Sequence, residues 1–141
     1  MSVGIHPWNA DKADGAVWSR FMAWLGDERV VAVGEIGLDR LRGPEMSVQL
    51  EVMNRQLRAA AERQLPVIIH CVRAYDLLLG VHFPEDMQRI IHGFRGRPAL
   101  AQQLLDAGFD LSYGAHYNDD SFVLTPADRR YRETDTGFMR W

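Results

Sequence analysis

Carboxylate and imidazole side chains close four short runs of this sequence that have the character of buried strands. Glu35 follows "VVAVG", His70 follows "LPVII", His92 follows "RII", and Asp135 closes "RRYRETD". In parallel α/β proteins the carboxyl ends of the strands share one face, and active sites are built there. Imidazoles together with carboxylates suit zinc-like divalent ions. The pattern therefore predicts a metal site.

Each of these residues also has an ordinary structural explanation. A lone histidine at a strand end is usually a hydrogen-bonded structural residue, Glu35 could accept backbone N–H groups, and Asp135 could cap a helix. These explanations would have to hold independently on successive strands, so the metal site is the favoured interpretation. Cys71 follows His70 directly and is predicted to pack in the core, because neighbours in a strand point to opposite faces.

The elements that must position these side chains alternate along the chain. Apolar residues at helical spacing predict helices, and short β-branched runs predict buried strands. The predicted helices cover residues 14–26, 47–64, 75–79 and 98–107, and the predicted strands cover residues 30–34, 65–70, 89–92, 109–114 and 129–135. This alternation predicts an α/β fold with parallel pairing, either an open sheet or a (β/α) barrel. A Gly-rich phosphate loop follows none of the predicted strands, which disfavours a nucleotide-binding sheet.

Composition excludes several classes of protein. The chain has 141 residues, 47% of them hydrophobic, which suits a single globular domain over residues 1–141. A net charge of −3 argues against nucleic-acid binding by charge alone, although a site that reads phosphate through metal ions would not need a basic surface. One cysteine excludes a disulfide framework and indicates a reducing compartment. Without a signal peptide or a membrane-length apolar stretch, we expect a cytoplasmic protein with no membrane partner.

Six motifs carry a resemblance to a known family. "GIHPW", "VGEIGLD", "PVIIHC", "IIHGFRG", "LSYG" and "ETD" occur in the order and approximate spacing of the TatD-family metal-dependent hydrolases. The resemblance covers nearly the whole chain. It implies a distorted TIM-type (β/α) barrel of the amidohydrolase superfamily and metal-dependent deoxyribonuclease activity.

The resemblance also implies a role for each site residue. Glu35 would bridge two divalent ions, one of which His70 and His92 would bind. Asp135 would bind the other ion and handle the proton of the attacking water, which makes Glu35 and Asp135 the catalytic pair. His6, in "GIHPW", would lie near substrate phosphate.

This sequence departs from the family pattern at its beginning. The family opens with a strand that ends in His-x-His, and no His-x-His occurs here. The resemblance begins where the family's third strand ends, so we expect a partial barrel that lacks the first strands and is truncated at both termini. Glu35, His70 and His92 would hold one tight ion, Mg, Mn or Zn, where a complete member holds two. Unclosed barrel edges would favour homo-oligomers.

Phosphodiester hydrolysis of DNA is the function that these features favour. Arg73 and Arg95 follow two of the predicted ligand strands into loops, where guanidinium groups can bind phosphate. A divalent ion lowers the pKa of water to about 7, which supplies a nucleophile at neutral pH. The ligands do not specify the substrate, so a hydrolase of amides, lactones or small phosphoesters remains an alternative. A non-catalytic remnant that acts as an interaction module is another.

Overall fold

The computed structural model describes residues 1–133, which form two compact units, Met1–Gln88 and a second unit that begins at Arg89. Asp135, one of the predicted ligands, lies outside the described residues. The expectation of a single domain stays a prediction. Among the described residues, every helix is too short or too polar to span a lipid bilayer.

The first unit is built on three parallel strands. Its strands are β1 (Ser2–Val3), β2 (Ala32–Asp39) and β3 (Val67–Val72), and its helices are a 3-10 helix (Pro7–Lys12), α1 (Gly15–Leu25), α2 (Met46–Glu62) and α3 (Tyr75–Leu79). β2 lies between β1 and β3, and its register is irregular between Val33 and Ile36. All of β2 is buried except Glu35, which is half-buried, so Glu35 is the side chain of this strand that reaches solvent.

Helix α2 ties the loops of the first unit to the sheet through two buried glutamines. The Gln49 side chain accepts a hydrogen bond from the Asp39 N–H at 2.7 Å and donates one to the Asp39 carbonyl at 3.0 Å. The Gln56 side chain makes the same pair of bonds with the backbone of Ile5. Because buried polar groups need partners, these amides hold the end of β2 and the segment after β1 against α2.

The second unit also carries parallel strands. Its strands are β4 (Arg89–Ile91), β5 (Asp110–Tyr113) and β6 (Arg130–Arg132), and its helices are α4 (Pro98–Asp106), α5 (Asp119–Leu124) and a 3-10 helix (Ala127–Arg129). β5 pairs with both β4 and β6. Pro98 begins α4 as predicted, since its missing N–H costs nothing there, and Gly108 lies just past the end with φ +88°.

The predicted helices are confirmed to within two residues, but two strands begin and end later in the chain than predicted. β2 runs to Asp39 rather than residue 34, and β3 runs to Val72 rather than residue 70. Glu35 and His70 therefore lie within strands, which corrects the prediction that they stand at the carboxyl ends of strands. In the sequence, the glycines of "GEIG" suggest that the strand ends there. In the fold they permit β2 to pair closely with β3. β1, the 3-10 helices and α5 were not predicted.

Candidate metal centre

Three side chains of the first unit form a cluster that could hold a metal ion. Ligand atoms of His6, Glu35 and His70 all lie within 4.8 Å of one another. Glu35 Oε2 is 3.8 Å from His70 Nδ1 and 3.7 Å from His6 Nε2. Atoms that each bind one ion at about 2.0–2.2 Å can be separated by up to about 4.4 Å, so both pairs have room for an ion between them. All three side chains are half-buried, which leaves the cluster open to substrate.

Glycines beside Glu35 allow this approach of β2 to β3. Gly37 pairs with His70 and has φ +144°, and any Cβ at this position would collide with the His70 carbonyl. A Cβ at Gly34 would come within 2.6 Å of the Ile68 Cβ. Larger residues at either glycine would push the strands apart and separate Glu35 from His70.

Asp39 is the hydrogen-bonding centre of this site. Its Oδ2 lies 2.9 Å from His70 Nε2 and accepts the indole N–H of Trp8 at 2.7 Å. Its Oδ1 accepts the backbone N–H groups of Leu41 and Arg42 at 2.8 and 3.1 Å. Burial opposes ionisation of this carboxyl, but the hydrogen bonds from Trp8, His70 and Leu41 outweigh it and hold its pKa below the usual value.

The ionised Asp39 decides which nitrogen of His70 can bind a metal. A carboxylate only accepts hydrogen bonds, so His70 Nε2 must carry the proton that faces it. In the neutral ring, Nδ1 then holds a lone pair on the side that faces Glu35. A carboxylate that orients a histidine in this way is the usual surrounding of a metal-bound imidazole. The donor set of Glu35 and His70 therefore fits a divalent ion.

His6 has the opposite proton arrangement. It caps the 3-10 helix, and its Nδ1 accepts the backbone N–H of Trp8 at 3.2 Å. The neutral ring therefore carries its proton on Nε2, the nitrogen nearest Glu35. His6 is thus better suited to donate a hydrogen bond than to complete the ligand set, and its predicted contact with substrate phosphate stays a prediction.

His92 directly follows β4 in the second unit and has a carboxylate partner of its own. Its Nδ1 lies 3.0 Å from Glu133 Oε1, which also accepts the Gly93 N–H at 2.7 Å. Burial opposes ionisation of Glu133, but hydrogen bonds from His92, Ser112 and Gly93 lower its pKa overall. The ionised carboxylate leaves His92 Nε2 with the lone pair. Its role as a metal ligand stays a prediction.

The remaining predicted residues lie in loops or outside the described chain. Arg73 follows β3 and Arg95 follows β4, and both side chains are exposed. The backbone of Arg73 has φ +50°, and its carbonyl accepts the Arg40 guanidinium at 2.7 Å. Their predicted contact with phosphate and the predicted role of Asp135 stay predictions.

Three residues of the site were given no role from the sequence. Asp39 stands four residues after Glu35, a spacing that places both on one face of a strand and could have indicated a partner. Glu133 precedes Asp135 in "ETD", and nothing in that motif indicates which of the two acids faces His92. Trp8 is set apart from the core tryptophans by its place in "GIHPW", but neither the motif nor the residue type indicates its contact with Asp39. Cys71 is buried, which confirms its predicted packing, and burial raises the pKa of its thiol to about 12.

Comparison with known proteins settles the family. The family model described as "TatD related DNase" matches residues 1–140. The chain belongs to this family. It is 31% identical to the "3'-5' ssDNA/RNA exonuclease TatD" of Erwinia billingiae and 30% identical to that of Cronobacter sakazakii, over 98% of its length in both cases. It spans about 58% of the first of these relatives and 57% of the second.

Solved structures of TatD proteins share the fold. A TatD homologue of Escherichia coli K12 has a TM-score of 0.81 at 30% identity, over 95% of this chain and 56% of that one. A TatD-family hydrolase of Entamoeba histolytica has a TM-score of 0.78 at 22% identity, over 95% of this chain and 49% of that one. These likenesses confirm the predicted fold class, part of a TIM-type (β/α) barrel.

Proposed function

We propose that this chain binds a divalent ion through Glu35 and His70 and hydrolyses phosphodiester bonds of single-stranded nucleic acid. The observation that carries the proposal is the pairing of His70 with Asp39, which turns the Nδ1 lone pair toward Glu35. The substrate class is supported by the relatives that are named 3'-5' ssDNA/RNA exonucleases. His92 is proposed as a further ligand because the Glu133 carboxylate lies 3.0 Å from its Nδ1, which leaves Nε2 for an ion.

The chain's own groups divide the work of hydrolysis. A divalent ion, when bound, supplies Lewis acidity and stabilises charge on phosphoryl oxygens. Glu35 contributes a negatively charged ligand, and His70 contributes a neutral ligand held in one orientation by Asp39. His6 is proposed to donate a hydrogen bond from Nε2–H to a phosphate oxygen. Asp135 is proposed to take the proton of the attacking water.

The chain has a net negative charge, and positive charge from arginines and from a bound ion would offset it near the site. With a net charge of −3, attraction of nucleic acid must be local. Arg73 and Arg95 are exposed in the loops after β3 and β4, and they are proposed to bind the substrate backbone as bidentate donors. Binding through a few such contacts predicts moderate affinity that weakens as salt is raised.

A nuclease assay on the whole chain tests this function. Single-stranded DNA labelled at its 5' end is incubated with the chain and Mn²⁺ or Mg²⁺, and products are resolved by length. We expect stepwise shortening from the 3' end, reduced at least about 100-fold by Glu35→Gln or His70→Ala, because each removes a ligand rather than an orienting group. Glu85→Gln and His82→Ala are matched controls, since both side chains are exposed in the loop between α3 and β4.

Three outcomes would overturn the nuclease proposal. Metal binding without cleavage of DNA or RNA would favour another ester or amide as substrate. A chain that binds no divalent ion and cleaves nothing would be a non-catalytic module. Cleavage that survives both ligand substitutions would show a contaminating nuclease or a different site.

A further inference from the structure

Trp8 makes a directed contact that simple packing does not require. It lies in the 3-10 helix with 36% of its surface exposed, yet its indole N–H points inward and donates to Asp39 Oδ2 at 2.7 Å. The same oxygen lies 2.9 Å from His70 Nε2. Two N–H groups therefore share one carboxylate oxygen, and each occupies part of its lone-pair space.

The ring of Trp8 is held on several sides. The Arg42 guanidinium lies 3.7 Å from the ring centroid, within cation–π range. The His6 and His70 rings meet it edge-on at centroid distances of 4.6 and 5.8 Å. The Trp8 backbone N–H also donates to His6 Nδ1. One residue thus contacts both imidazoles of the cluster and the carboxylate that orients one of them.

We propose that Trp8 is a positioning residue of the metal centre, which holds the Asp39 carboxylate so that His70 presents Nδ1 to the ion. This inference rests on the proposed metal site. The Leu41 and Arg42 N–H groups anchor Oδ1 alone, so the carboxylate can still turn about that anchor. The Trp8 N–H restrains the second oxygen in line with His70 Nε2. Without it, His70 is free to change its tautomer or tilt.

The test compares Trp8→Phe with the parent chain, because phenylalanine keeps a ring and removes the N–H. Trp24→Phe is the matched control, since Trp24 is 47% exposed on α1. Zn²⁺ affinity is measured by titration, and the His70 tautomer is read from the ¹⁵N chemical shifts of its ring in the metal-free chain. We expect the zinc affinity of Trp8→Phe to be about 3–10-fold weaker than that of the parent. This loss is smaller than the one expected when a residue hydrogen-bonded directly to a metal ligand is replaced. We also expect the Nε2–H signature of His70 to give way to a mixture of tautomers.

The outcomes separate this inference from the metal site itself. Parent-like zinc affinity and an unchanged His70 spectrum in Trp8→Phe would overturn the positioning role. If the parent chain binds no zinc, the proposed function fails, and the imidazole spectrum alone decides the inference. If Trp8→Phe does not fold, two measurements on the parent chain test the positioning role. A His70 ring protonated at Nδ1 would refute that role. A Trp8 indole proton that exchanges with solvent as fast as that of Trp24 would also refute it.

Discussion

Replacing Asp39 by asparagine changes one oxygen of the site to an amino group without changing its size. The amide oxygen would take the place of Oδ1, because two backbone N–H groups, from Leu41 and Arg42, require an acceptor there. The amino group would then face the donors of Trp8 and His70. His70 can relieve the conflict only by moving its proton to Nδ1, where the lone pair for the ion is needed.

The expected magnitudes follow from the bonds that change. Two hydrogen bonds to a charged acceptor are lost, each contributing about 1.5–3 kcal/mol, and the flipped imidazole regains one neutral bond. Because Trp8 is partly exposed and can turn to water, the net loss of stability is about 2–3 kcal/mol. For a chain of this length, that corresponds to a Tm lowered by about 6–12 °C. Divalent metal affinity falls by about 10–100-fold, as for other partners of metal-bound histidines.

Thermal unfolding and isothermal titration with Zn²⁺ on Asp39→Asn measure both effects. Asp86→Asn is a suitable control, since that side chain is exposed before β4. A folded Asp39→Asn chain that binds zinc as tightly as the parent would refute the reasoning, because Asp39 would then not determine the tautomer of His70. A large loss of stability with unchanged metal affinity would show that Asp39 is structural only.

Three further predictions concern single side chains. His6→Ala should leave metal affinity within about threefold but weaken binding of single-stranded DNA, measured by fluorescence anisotropy, because His6 donates rather than ligates. His70→Ala should abolish tight binding, whereas Asp135→Ala should leave it nearly unchanged, with one ion per chain by elemental analysis, because Glu35, His70 and His92 form the proposed ligand set. Cys71 should react with a thiol reagent at pH 8 about 1,000-fold more slowly than an exposed cysteine, because a pKa of about 12 leaves little thiolate.

Each of these predictions has a result that would contradict it. Loss of metal from His6→Ala would make His6 a ligand. Two ions per chain, or an Asp135→Ala chain that loses metal as completely as His70→Ala, would require a second ligand set. Rapid modification of Cys71 in the folded chain, without unfolding in denaturant, would show that β3 opens or that the thiol faces solvent.

The fold could be predicted from the sequence where local patterns dominate. The spacing of apolar residues identifies α1 and α2, and Pro98 with Gly108 marks both ends of α4. Strand limits are harder, because the pairing of β2 with β3 depends on contacts between distant residues. Gly37 is the clearest case: from the sequence it is typical of a turn, but in the fold it lets one strand pass close to another.

The candidate site could be predicted in part. Glu35 and His70 were identified by residue type and strand position, and the structure places their side chains side by side. The spacing of Asp39 from Glu35 could have indicated a partner, but the hydrogen bonds that set the protonation of His70 could not be identified. Asp39 meets His70 through the pairing of β2 with β3, and Trp8 meets Asp39 through the folding of the 3-10 helix against them. Proton placement depends on three-dimensional hydrogen bonding, which residue spacing does not encode.

Anomalous diffraction from crystals of the whole chain grown with Zn²⁺ tests the central claim most directly. The account predicts a zinc peak about 2.0–2.2 Å from a Glu35 carboxylate oxygen and from His70 Nδ1, with His70 Nε2 still bonded to Asp39. Zinc bound to His70 through Nε2, or a zinc peak elsewhere with Glu35 and His70 unoccupied, would contradict it.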